Sequence, residues 1–410
     1  MLSEKTFYAV VVAIVIIGGL GIGVAYDHAI STASPSGSHG TTNNSSGGSN
    51  YYSLTFVVTT NNQYNSSVGD QPAFYILSGG KLQSTANITL PSNKKIDLTI
   101  INYDDGVGSV ATQYDNVTGT TNDQISIINN TNVNSTYNGQ NISVIGGQKV
   151  SQVPNDNIAH TFTILSGATV VVNIPITPSS IIQTSFTLSS GSYSWQCEVA
   201  CGSGSSGWEG AMNAPGWMAG TVYSSPAVST PSSQPYSLTL VVTTNNFFNQ
   251  SVGNQPAFYV LENGSLYSTT QLKLPSKVEI SLTVIDFDDG VGPVASQYAA
   301  VAGTTNNQIS IVNNTNVNST EGSNGINISG GSTVSQVPSS NIAHTLTILA
   351  TGNKIVLNIP LTPSSVVSTT FSITSGNYTW QCEVPCGSGS SGWEGAMSTA
   401  GWMEGSVYVS

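Results

Sequence analysis

A chain of 410 residues with 39% hydrophobic content is long enough for two or three domains with cores of their own, which excludes a wholly disordered protein. Only 7% of its residues are charged, the formal net charge is -12, and the eight basic residues are all lysines. No basic patch is left to neutralise phosphates, so a nucleic-acid partner is excluded, and Gly, Ser, Thr and Asn take the places that charges usually hold.

Residues 6–26, TFYAVVVAIVIIGGLGIGVAY, are an uncharged apolar run of 21. At about 1.5 Å per residue this spans a bilayer core. With Lys5 before it and Asp27 after it, the run predicts one N-terminal transmembrane helix in an anchor of residues 1–29, with the rest of the chain on the extracellular side. A pilin-type leader cleaved near Lys5 is the alternative. Residues 30–50 are a Ser/Gly/Asn-rich tract without apolar periodicity and read as a flexible stalk of roughly 25 Å reach. N-x-S/T triplets, among them Asn65, Asn87, Asn116, Asn134, Asn141, Asn249, Asn263, Asn318, Asn327 and Asn377, suit a glycoprotein on an exported face.

From residue 51 the chain repeats itself. YSLTFVVTTNN at Tyr52 returns as YSLTLVVTTNN at Tyr236, QPAFYIL at Gln71 as QPAFYVL at Gln255, and VSQVPNDNIAHTFTIL at Val150 as VSQVPSSNIAHTLTIL at Val334. A repeat of this length is a duplicated domain. The expected units are residues 51–223 and 236–410, joined by a Pro/Ser-rich linker at 224–235. Within the first unit SLTFVVTT, KIDLTIINY, HTFTIL, TVVVNIPI, QTSFTLSS and GTVYS alternate with turn residues. Period-two alternation without a long helical pattern predicts an all-β fold, two tandem Greek-key β-sandwiches. The Asn-rich stretches Val107–Lys149 and Val291–Thr333 are expected to be long surface excursions.

Each unit then carries the same three elements in the same order. A histidine, His160 or His344, opens a strand; a C-x3-C pair follows, Cys197 and Cys201 or Cys382 and Cys386; a methionine, Met218 or Met403, precedes the closing strand. This is the ligand order of cupredoxins. WQCEVACG with Met218 and Gly220–Val222, and WQCEVPCG with Met403 and Gly405–Val407, resemble the CuA domain of cytochrome c oxidase subunit II, whose signature runs Q-C-x-E-x-C-G-x-x-H-x-x-M. Anchor, Ser/Gly stalk and β-domain in series resemble sulfocyanin, the membrane-tethered blue copper protein of acid-loving archaea. The resemblance implies cupredoxin-like sandwiches, copper held by His160, Cys197, Cys201 and Met218 and by His344, Cys382, Cys386 and Met403, and electron transfer to a redox partner protein or terminal oxidase.

The family's second histidine falls on Ser205 and Ser390 counted from the cysteines, or on Pro215 and Ala400 counted from the methionine. The longer loop offers Met212 or Met397 and Glu209 or Glu394 instead, a set suited to soft Cu(I). Disulfides within each C-x3-C pair are the rival reading. The chain would then be a metal-free structural or adhesive surface protein that self-associates in a filament or surface layer. Trp195, Trp208 and Trp217 read as loop packing. NYDDGVG at Asn102 and DFDDGVG at Asp286 read as strand-end turns, with a calcium site through Asp104 and Asp105 or Asp288 and Asp289 as the functional alternative. With one histidine per unit committed to the metal reading, no hydrolytic or transferase site is expected.

Overall fold

The structure is a computed structural model. It describes residues 51–410 except 61, 63–70, 130–132, 138–139, 145, 203–210, 213, 227–234, 245–254, 314–316, 319–326, 329 and 388–395, with backbone alone at the remaining positions of 133–144 and 317–328. The apolar run at 6–26 and the stalk at 30–50 lie outside the described residues, as do Ser205, Trp208, Glu209, Ser390 and Glu394. No helix among the described residues is long and apolar enough to cross a membrane.

The first half folds into strands β1 (Tyr51–Thr59), β2 (Ala73–Ser78), β3 (Lys81–Ser84), β4 (Asn87–Pro91), β5 (Lys95–Asn102), β6 (Ile125–Asn129), β7 (Val133–Tyr137), β8 (Gln140–Val144), β9 (Gln148–Val150), β10 (His160–Ser166), β11 (Thr169–Ile176), β12 (Ser180–Phe186), β13 (Gly191–Gln196) and β14 (Ala219–Ser225). One sheet has the order β3-β2-β1-β5-β12-β6-β9 and the other β11-β10-β13-β14-β4, with β7 and β8 paired as a separate hairpin. Parallel pairing of β1 with β5 and of β14 with β4 brings sequence-distant strands together in otherwise antiparallel sheets. Phe56, Phe74, Ile100, Phe162, Ile164 and Trp195 fill the space between the inner faces. The second half repeats both sheet orders around an equivalent core. The all-β expectation of two tandem sandwiches holds.

Two details differ from the sequence reading. QTSFTLSS was bounded too late, since β12 starts at Ser180 and ends at Phe186. The stretch expected as a surface excursion contributes β6, whose five residues are all buried and pair with β12. Ile125 and Ile127 of β6 face the sandwich core, whereas Ile128 faces the other way.

That other direction is the second half of the chain. Val57, Leu77, Ile101, Ile128 and Ile181, on the outer face of the seven-stranded sheet, pack against Val241, Leu261, Ile285, Val312 and Val366 of its sister sheet. Tyr103 and Phe287 meet with ring centroids 5.4 Å apart. The Ser126 hydroxyl donates to the carbonyl of Gly264, and the Ser310 hydroxyl donates to that of Gly80 at 2.5 Å. Each residue thus meets its partner's counterpart, which is the signature of an isologous, two-fold interface. Gly80 (φ +72°) and Gly264 (φ +74°) are required twice over: their backbone is left-handed, and an added Cβ would lie 2.6 Å from Ser310 Cβ and 2.7 Å from Ser126 Cβ.

Gly80→Ala and Gly264→Ala should each lower stability in urea unfolding by about 1 kcal/mol or more. Gly79→Ala, which meets left-handed backbone but nothing within 4 Å, should cost less than either.

Candidate metal centre

His160 is the first residue of β10, and β13 runs beside it with Gln196 opposite Thr163. Trp195 on β13 points into the core, so Cys197, two residues on, points the same way. The loop between β13 and β14 is closed at its neck by the pairing of Gln196 with Ala219 and by the Cys197 N–H, which donates to the Met218 carbonyl at 2.8 Å. Gly220 admits no side chain here, because a Cβ would lie 2.5 Å from Trp195 Nε1 and 2.5 Å from the Thr85 carbonyl oxygen that this indole N–H donates to. Phe74 forms the floor, its ring 5.3 Å from that of Trp195 and 6.1 Å from the His160 imidazole.

These constraints converge on three donor atoms. His160 Nδ1 lies 3.1 Å from Cys201 Sγ and 3.9 Å from Cys197 Sγ, and the two sulfurs are 3.4 Å apart as free thiols. The Thr161 N–H donates to Cys197 Sγ at 3.4 Å, and the Glu198 N–H donates to Thr161 Oγ1 at 2.8 Å. In the second half the three distances are 3.1 Å (His344 to Cys386), 3.8 Å (His344 to Cys382) and 3.5 Å (sulfur to sulfur). In either triangle a point in the donor plane lies about 2.0 Å from all three atoms, the bond length at which first-row metals hold nitrogen and slightly short of that for sulfur. The donors are nearly inaccessible to solvent, and in the second half they lie beneath an open cleft of about 210 Å³ lined by Asp288, His344 and Cys386.

Met218 and Met403 are fully buried in the same cores, each with its carbonyl bonded to the first cysteine of its site. Met212 and Met397 are half-buried against those cores. Among the described residues neither site gains a second imidazole: Pro215 and Ala400, where one register would put it, are exposed.

The residue that the sequence reading misplaced is the first aspartate of DDG. Asp104 Oδ2 lies 3.0 Å from His160 Nε2, and Asp288 Oδ2 lies 3.1 Å from His344 Nε2. The turn reading holds in part, since the Gly106 N–H donates to Asp104 Oδ1 at 2.9 Å. Asp105 and Asp289 are exposed, and among the described residues no acidic cluster of calcium type includes them. The signal available in the sequence was the return of the same acidic string in both halves at the end of the same strand. A carboxylate on the far nitrogen fixes the ring's orientation and tautomer, leaving Nδ1 aimed at the sulfurs.

No family model matches the chain, and no curated relative matches it. Among solved structures it is similar to a rusticyanin variant (15% identity, 45% of this chain and 85% of that one, TM-score 0.23), to a multicopper oxidase (10%, 88% of each chain, 0.21) and to the blue copper oxidase from Nitrosomonas europaea (11%, 88% of this chain and 85% of that one, 0.21). At such scores the likenesses carry no argument, and the fold rests on the chain's own strand order and on where the histidine, cysteine loop and closing strand fall.

The donors share charge. Burial pushes the His160 imidazole down, but its hydrogen bonds to Asp104 and Cys197 outweigh this and raise its pKa from 6.5 to about 9. Burial likewise opposes ionisation of Cys197, yet the hydrogen bonds from Cys201 and His160 hold it well below the usual thiol range. Cys201, donating to Cys197, is pushed up. In each site the first cysteine is thus the more readily ionised sulfur, and the imidazole between sulfur and carboxylate is favoured in its protonated form.

A histidine whose folded pKa is raised contributes stability that is complete below about pH 6.5 and lost as pH rises through about 9. Asp104→Asn should remove about 2 kcal/mol at pH 6 and clearly less at pH 10, measured by denaturant unfolding of the metal-free chain.

Proposed function

We propose that this chain is a copper-binding electron-transfer protein with two altered CuA-like centres, carried outside the cell on its N-terminal apolar segment. The observation that carries the reading is the twice-built, buried His/Cys/Cys triangle, formed at the same end of both sandwiches from residues in cupredoxin order. His160, Cys197 and Cys201 would hold the metal in the first half and His344, Cys382 and Cys386 in the second, with the buried Met218 and Met403 as further thioether candidates. Two sulfurs and one imidazole favour a soft ion, and Cu(I) is the softest of the common candidates. When bound, copper supplies one-electron chemistry.

The protein's own part is preorganisation. Asp104 and Asp288 hold the imidazoles, Thr161 and Thr345 donate N–H groups to the first sulfur of each site, and the Phe74 and Phe258 rings keep the donors dry. Rigid, pre-shaped ligands suit electron exchange, because little has to rearrange when charge changes. Trp217 and Trp402 are half-buried next to the methionines, at the end of the loop where a partner would approach. Among the triplets proposed for glycans, Asn87, Asn116, Asn263 and Asn377 are exposed, as glycosylation requires.

Cu(I) titration of the reduced chain should reach two equivalents. After oxidation, thiolate-to-copper bands in the visible should appear, and Cys197→Ser combined with Cys382→Ser should abolish them. A chain that takes up no copper and contains two disulfides would replace this reading with the adhesive one. A colourless chain that takes up only zinc would leave a metal site without redox function.

A further inference from the structure

One of the buried positions at which the halves differ, close to the sites, changes from an amide to an acid. It is Asn102 at the end of β5 in the first half and Asp286 in the second, each 0% exposed. Asn102 is fully used. Its Nδ2 donates to the carbonyls of Thr177 at 2.9 Å and Asp104 at 3.1 Å, and its Oδ1 accepts the Asp104 N–H at 3.1 Å. The side chain thereby ties the loop that carries the histidine's carboxylate to the loop entering β12. Asp286 keeps only part of this pattern: its Oδ1 accepts the Asp288 N–H at 2.9 Å, while its Oδ2 is buried without a hydrogen-bond partner.

An ionised carboxylate has lone pairs alone to offer. The atoms served by the amide nitrogen in the first half are carbonyl oxygens, and their counterparts at Thr362 and Asp288 are carbonyls too. A proton on Oδ2 restores the missing donor; a charge there would face acceptors in a dry interior. The groups around it point the same way. The Tyr103 hydroxyl, reaching across from the first half, is itself buried without a partner and feels the Asp286 charge. Asp288, Cys382 and Cys386 lie within electrostatic reach as further acids, and His344 is the one cationic neighbour.

We propose that Asp286 is kept as a neutral carboxylic acid that donates toward the Thr362 carbonyl, a protonatable positioning residue for the Asp288–His344 pair where the first half uses the amide of Asn102. No hydrogen bond joins Asp286 to the imidazole or to either sulfur; it acts through the Asp288 loop. Burial raises its pKa, His344 pulls it down, and Asp288 pushes it up again, to about 8. The second half therefore holds the loop of its carboxylate–imidazole pair through a neutral acid that ionises in alkali, and the first half, with an amide in that place, has no such step.

The test uses the metal-free full chain and so stands apart from whether copper binds. Infrared spectra at about pH 6 should show the carbonyl stretch of a buried protonated carboxyl, fading with a midpoint near pH 8. The band should be absent in Asp286→Asn and doubled by Asn102→Asp. Imidazole NMR signals of His344, and not those of His160, should shift with the same midpoint, and Asp286→Asn should abolish that difference. A band that survives Asp286→Asn, or two histidines that titrate alike, overturns the proposal. Should the variant fail to fold, carbon-labelled aspartate in the unchanged chain decides: no aspartate carboxyl titrating above about pH 6 would refute it.

Discussion

Burial of the seven-stranded sheets on both faces is the constraint from which the rest follows. One face closes a sandwich and the other closes the seam between halves, so β1, β5, β6 and β12 have no solvent side along much of their length. A strand in that position cannot shift register without carrying a polar row into one core or the other. The end of β5 is therefore fixed in space, and with it Tyr103 at the seam and Asp104 at the His/Cys/Cys site. Ring orientation at His160 is set by a residue whose own position is set by the domain contact.

The sites show how far preorganisation goes with three donors. Two sulfurs and one imidazole lie nearly within bonding reach of a common point while hydrogen-bonded to one another. Taking up a cation exchanges protons for metal in a cavity that is already shaped, so the cost of ordering the ligands is met at folding. The same hydrogen bonds that raise the imidazole and depress one thiol keep the buried charges paired while no metal is bound.

Much of this was legible in the residues, for physical reasons. Strand alternation and the domain-length repeat gave two sandwiches, and the order histidine, C-x3-C, methionine pointed to His160, Cys197 and Cys201 among its four residues, because a strand end and the following loop lie at one end of a sheet. The seam was not legible. FVV in β1, TII in β5 and SII in β6 and β12 read as ordinary strands, and only the fold reveals that their consecutive apolar residues serve two cores. Asp104 was missed because Asp-Asp-Gly explains itself as a turn, and local sequence holds no sign that the carboxylate has a second partner 56 residues away. The Asn102/Asp286 difference was visible in the strings, but its meaning depends on burial.

The two-fold seam has a consequence for how the halves can diverge. Two identical subunits meeting on such an axis must accept every substitution twice, once on each side. Joining them in one polypeptide lifts that restriction and holds the partners at a high effective concentration, so unlike halves pair without having to find each other among like ones. The seam shows what such freedom permits, since Tyr103, Ile128 and Ile181 on one side answer to Phe287, Val312 and Val366 on the other, and next to it an amide at 102 answers to an acid at 286.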